Sequence, residues 1–164
     1  MRHASIRDVS LLHNQQDFIE AAISLLQQGS RCISIRSAEL DPALFDDIAF
    51  NEALSAFARR SRYSEVQILV DYPDVLRKRG HRTVDLMRRL SDKIEIRHFY
   101  DEPDTRRDSF ILTDRRGLLI KSPDPQAVGY FSLTDSVHTQ RLLENFSHEW
   151  ERSPQARQLR QLMI

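Results

Sequence analysis

Apolar positions recur along the chain with two periods, and the switch from one to the other marks out its elements. From Asn14 to Gln28, Phe18, Ala21, Ala22 and Leu25 fall at helical spacing, and Gly29 is placed to end that helix. Arg31 to Arg36 alternates as a strand. Asp41 and Pro42 read as the cap and first position of a helix running to Arg60, with Phe50, Ala53, Leu54, Phe57 and Ala58 on one face. Val66 to Asp71 is a second strand, and its near-continuous apolar centre predicts burial on both faces. Tyr72-Pro73 breaks it. A helix interrupted near Gly80 follows, burying Val84, Met87 and Leu90, and Lys93 to Phe99 is a third strand.

The polar loop from Tyr100 to Arg106 leads into two short apolar strands, Ser109 to Thr113 and Leu118 to Lys121, joined by the turn Asp114-Arg115-Arg116-Gly117. Val128 to Leu133 reads as one more strand. Thr134 or Asp135 then caps a helix striped with Leu142, Leu143, Phe146 and Trp150, and Pro154 starts a short terminal helix ending on Leu159, Leu162 and Met163. The order is helix, then β-α-β-α-β, then hairpin, then long helix. It predicts an α/β fold with a mixed β-sheet flanked by helices. Residues 14–164 form a single domain of this kind, and residues 1–13 read as a poorly specified N-terminal tail.

Composition narrows the function classes. A chain of 164 residues can bury a real core without staples. No apolar run approaches the roughly 20 residues that span a bilayer, and the polar N-terminus has no secretory core, so the expectation is a cytoplasmic protein without membrane contact. Cys32 is the sole cysteine; it allows no intramolecular disulfide and, on a strand, reads as an inert thiol. Acidic and basic residues balance at 24 each, so overall charge does not point to nucleic acid. Residues 77–97 nevertheless gather Arg77, Lys78, Arg79, Arg82, Arg88, Arg89, Lys93 and Arg97, a stripe able to meet a phosphate backbone. With only four Gly and no Gly-rich loop, the chain has no phosphate-cradling or dinucleotide fingerprint, and nothing in it calls for a cofactor. Its six His form no His-x-x-x-His pair, so a metal site has no local support.

The chemistry concentrates at the hairpin, from Arg107 to Ser122. Its element order, the Arg-Cys-Ile-Ser-Ile-Arg strand, the Gly80-His81-Arg82 segment and Asp114 resemble one repeat of the phospholipase D-like superfamily, and within it a bacterial subgroup with a degenerate version of that domain. The likeness covers roughly residues 20–152. The superfamily signature is H-x-K, four residues, D, six residues, G-S-x-N. Asp114 and Ser122 match it, whereas Arg107, Ser109, Lys121 and Asp124 stand where His, Lys, Gly and Asn would. The resemblance implies His nucleophiles and phosphate-holding Lys in active members, and homodimers in which each copy of a single-repeat member supplies half a site. Here Arg107 is permanently protonated and cannot attack phosphorus, and Ser109 brings no charge. A guanidinium can still hold an oxyanion by a two-pronged contact.

The leading expectation is therefore a non-catalytic anion-binding or partner-binding domain with no catalytic residue, no cofactor and no metal. Its ligand-binding residues are Arg107, Ser109, Ser122 and His81, supported by Arg36 and Arg97 at strand ends. The alternative for Arg107 is pairing with Asp101, Glu102 or Asp104. His98, also at a strand end, reads as a satisfied structural histidine, and Asp71 lacks the companions of a phosphoacceptor. The other readings are a nucleic-acid binder using the 77–97 stripe, a divergent phosphodiesterase, and a structural or partner-binding module.

Overall fold

A computed structural model describes residues 9–100, 107–124, 126 and 128–160. Among them, one mixed sheet is built from β1 (Val9–Leu12), β2 (Cys32–Ser37), β3 (Glu65–Val70), β4 (Ile94–His98), β5 (Ser109–Thr113), β6 (Gly117–Lys121) and β7 (Gly129–Ser132). Their spatial order is β1-β7-β6-β5-β2-β3-β4. The helices are α1 (Gln15–Gln28), α2 (Pro42–Phe45), α3 (Ile48–Arg60), α4 (Pro73–Arg79), α5 (Arg82–Arg89), α6 (Ser136–Glu151) and α7 (Arg157–Arg160). This is the α/β arrangement that the alternating pattern predicts.

The helical crossovers make β2, β3 and β4 parallel, while β5, β6, β7 and β1 add on antiparallel from the other side of β2. The β2–β5 junction is thus where the sheet changes sense, and ligands in open α/β sheets favour the carboxyl ends of strands at such a point.

One face of the sheet carries Ile33, Ile35, Val66, Ile68, Ile96 and Ile111, buried under α1, α3 and α5 in the main core. The other face is covered by α6, whose Phe146 and Trp150 pack on Leu69 and Phe99, with half-buried Phe110 against them. Register aligns Arg97, Leu69, Arg36, Phe110, Ile120, Tyr130 and Leu11 in one row across all seven strands. Arg36 therefore lies buried between Leu69 and Phe110, its apolar neighbours in that row, so its charge must be matched locally.

Several boundaries differ from the sequence reading. Residues 9–12, placed in the tail, form edge strand β1; four residues alternate too briefly to announce a strand. The single helix expected from Pro42 to Arg60 is two, because Asp47 accepts the Phe50 N–H and caps a fresh start. Gly29 ends α1 with extended rather than left-handed backbone. What requires glycine there is space, since a Cβ would lie 2.9 Å from the Phe57 ring. Gly80, in contrast, is needed for its φ of 77° at the α4–α5 break. Pro154 does not open a helix. Its carbonyl accepts the His98 N–H, and Ala156 donates to Ile96, so this segment covers the open edge of β4 before α7. Leu162 and Met163 lie outside the described residues.

Candidate ligand-binding site

At the carboxyl ends of β2 and β3 a cavity of about 380 Å³ opens between α2, the start of β5 and the end of β6. Each wall residue is delivered by an element. The end of β2 supplies Arg36 and Ser37, the end of β3 leads to Asp71 and Tyr72, and the hairpin supplies Ser109 and Lys121, cross-strand partners in register. Arg107, Asp108 and Ser122 flank the hairpin strands, and Leu44 and Phe45 of α2 give an apolar side. A smaller cavity of about 180 Å³ shares Asp41, Leu44, Lys121 and Ser122 with the first. The Lys121–Asp41 ion pair, at 3.2 Å, stands where the two meet.

The cations of the wall are engaged. Arg36, 1% exposed, donates in a fork to buried Asp71 at 2.8 and 3.1 Å and also to Glu149 of α6. Arg107 donates to the other Glu149 oxygen at 2.7 Å. Both guanidiniums also lie near the Phe99 ring, at 5.1 and 5.3 Å. The alternative partners Asp101, Glu102 and Asp104 lie outside the described residues, and Glu149 is the partner observed. Arg107 is only half-buried, so guanidinium N–H groups remain for a ligand. Ser122 Oγ accepts the Asp124 N–H and can still donate its own proton.

Of the expected ligand-binding residues, Arg36, Arg107, Ser109 and Ser122 line this cavity, and His81 and Arg97 do not. Arg97 donates to Glu95 and to the Trp150 carbonyl, with its guanidinium 4.2 Å from the Trp150 ring. His81 is a buried helix cap. Its Nδ1 accepts the Thr83 N–H at the start of α5, so Nε2 must carry the proton donated to the Leu40 carbonyl at 3.0 Å. That contact helps hold Leu40 in its left-handed conformation, φ 53°. Burial is the main reason why the His81 pKa lies below the usual histidine value.

A lowered folded pKa means that the unfolded chain takes up this proton first. The stabilisation from neutral His81 is then fully present above the ordinary value near pH ~6.5 and lost as pH falls through the lowered one. Urea titrations of the wild type and His81→Asn should show this: the variant is less stable at neutral pH and loses less stability on acidification.

Asp114, the signature's matching carboxylate, is not in the cavity. It sits at the other end of β5, about 16 Å from Ser109 at strand rise, and accepts the N–H groups of Ser30, Arg31 and Cys32. His98 stacks on Tyr100, and its Nδ1 is buried without a hydrogen-bond partner among the described residues, unlike the satisfied histidine expected. Cys32 is half-buried, and burial pushes its thiol up to about 11, so it stays protonated at neutral pH.

Sequence reasoning missed Lys121, Asp71 and Glu149. Lys121 stands where the signature has Gly, and the signal for its role is its hairpin register with Ser109. Glu149 is 113 residues from Arg36 and gave none. The 77–97 stripe is partly consumed in the fold: Arg82 pairs with Asp46, Arg88 with Asp85 and Arg97 with Glu95, and Lys93 donates to the Ser61 carbonyl. The cavity wall holds no His or Cys among the described residues, and those residues contain no cluster suited to a metal ion. No helix among them is long and apolar enough to cross a membrane.

This architecture is similar in fold to solved members of the phospholipase D family. The fold is similar to Nuc from Salmonella typhimurium, a phospholipase D family member, with a TM-score of 0.62, 14% identity and coverage of 90% of this chain and 96% of that one. NucT from Helicobacter pylori gives 0.64 at 13% identity, covering 90% and 98%. TrmBL2, an archaeal chromatin protein described with a novel mode of DNA binding, gives 0.67 at 13% identity. The match covers 91% of this chain but 53% of TrmBL2, about half of its length. The chain belongs to the family described as Domain of unknown function (DUF7931), which matches residues 14–162. No protein of curated function matches it in sequence.

Proposed function

We propose that this domain binds an oxyanion-bearing small molecule in the β2–β5 cavity and does not turn it over. The observation that carries this reading is the gathering of Arg107, Ser109, Lys121 and Ser122, the residues standing at four signature positions, on one cavity at the sheet's change of sense. Their chemistry is that of holding, not attack. Arg107 and Lys121 bring charge, and Ser109 and Ser122 bring hydroxyl donors. Arg107 can neither attack phosphorus nor deliver a proton to the leaving group near neutral pH, and the cavity wall has no imidazole to replace it.

Two measurements on the full chain test the reading. Bis(p-nitrophenyl) phosphate is expected to remain unhydrolysed, and turnover abolished by His98→Ala or His81→Ala in a variant whose amide spectrum shows an intact fold would favour a divergent phosphodiesterase. In an NMR titration, inorganic phosphate is expected to bind weakly and perturb the amides of Ser109, Lys121 and Ser122. Lys121→Met should weaken this binding up to about fivefold, the worth of one exposed charge contact. Perturbations confined to Arg77, Lys78, Arg79 and Arg89 would instead favour the nucleic-acid reading.

A further inference from the structure

The charges around the cavity do not suit a simple anion. Arg36, Arg107 and Lys121 are the cations, and each is already matched, by Asp71, Glu149 and Asp41. Glu39 and Asp108 also line the cavity. Both are exposed, and neither has a hydrogen-bond or ion-pair partner among the described residues. The cavity thus presents two unanswered carboxylates beside three answered cations. An incoming anion would gain donors from Arg107, Lys121, Ser109 and Ser122, but it would enter a field of negative sign. A ligand that brings its own positive group offsets that field.

We propose that the natural ligand is a small zwitterion, with an ammonium group held by Asp108 and Glu39 and an oxyanion held by Lys121, Arg107 and the two serines. This rests on the oxyanion-binding reading and narrows it. Leu44, Phe45 and Leu119 add apolar surface to the same cavity wall, against which a short carbon linker can lie. The Lys121–Asp41 pair adds a device. Both residues are partly exposed, so an arriving oxyanion can take the Lys121 ammonium while Asp41 keeps its cap bond from the Ala43 N–H.

Calorimetric and NMR titrations of the full chain with O-phosphoethanolamine, 4-aminobutyrate, inorganic phosphate and ethanolamine test the proposal. At least one zwitterion should bind about tenfold more tightly than phosphate, since two exposed ion pairs are gained at up to about fivefold each. The double variant Glu39→Gln/Asp108→Asn should lose that preference while binding phosphate more tightly than the wild type. Its folding is checked by an unchanged amide spectrum away from the cavity. Phosphate binding as tightly as both zwitterions would overturn the zwitterion proposal and leave the oxyanion reading standing. Binding of ethanolamine alone at the zwitterion's affinity, or no binding of any oxyanion at millimolar concentration, would overturn both.

Discussion

Replacing Arg36 by alanine is expected to cost about 3–5 kcal/mol of stability, the range for removing one partner of a buried ion pair. Arg36 is 1% exposed and Asp71 7%, so deleting the guanidinium strands a carboxylate that water reaches poorly. The loss extends beyond the pair, because Arg36 also donates to the Ser37 and Leu69 carbonyls and to Glu149. Glu149 keeps Arg107, so the penalty falls chiefly on Asp71. Arg36→Met, which preserves most of the volume, should recover little, because packing is not what fails. Arg36→Lys keeps the charge but not the fork, and should fall between. Arg36→Met combined with Asp71→Leu should regain most of the stability, since an apolar pair suits a site beside Leu69, Phe99 and Phe110. Urea unfolding of the series measures all four. A single Arg36→Ala loss under about 1 kcal/mol, the scale of a surface pair, would mean that water reaches Asp71 after all.

That network also separates what the sequence could reveal from what it could not. The strands from β2 to β4 and the hairpin are legible because their apolar periods are local, and Arg107, Ser109 and Ser122, which stand at signature positions in the sequence, line one cavity in the fold. His81 was misleading for a physical reason. Beside Gly80 and Arg82 it has the neighbours of an anion ligand, yet the same break in the helix creates an N-terminus that needs a cap. Arg36 and Arg97 look alike at strand ends, and only the tertiary placement of Asp71 beyond β3 and of α6 decides that one is sealed with Asp71 and Glu149 while the other lies along Trp150. Glu149 ties these elements together from the far end of the chain, and no local pattern encodes such a contact. The zwitterion site has the same character. Asp108 and Glu39 read as ordinary loop carboxylates until the fold sets them beside cations that are already paired.

The other large effect is expected at Asp114, where alanine should cost about 2–4 kcal/mol, given hydrogen bonds to a charged group of about 1.5–3 kcal/mol each, reduced by partial exposure. Its carboxylate accepts three successive amides, Ser30 at 3.1 Å, Arg31 at 2.9 Å and Cys32 at 3.0 Å, while its own N–H reaches the Cys32 carbonyl. The hairpin apex is thereby clamped to the entrance of β2, which fixes the β5–β2 pairing that carries Ser109 and Lys121 to the cavity. Asp114 also holds φ at 53°, a conformation Asp and Asn tolerate and Ala resists by about 1–2 kcal/mol. Three variants separate the two contributions. Asp114→Asn keeps one acceptor oxygen and the tolerated φ, and should lose least. Asp114→Gly keeps only the φ and should lose more, and Asp114→Ala, lacking both, should lose most. In thermal unfolding the alanine variant should melt about 5–15 °C below the wild type, at about 2–4 °C per kcal/mol for a chain of this size. Near-equal melting of all three variants and the wild type would show that water serves these amides as well as the carboxylate does, and the signature aspartate would then have no structural role at the hairpin.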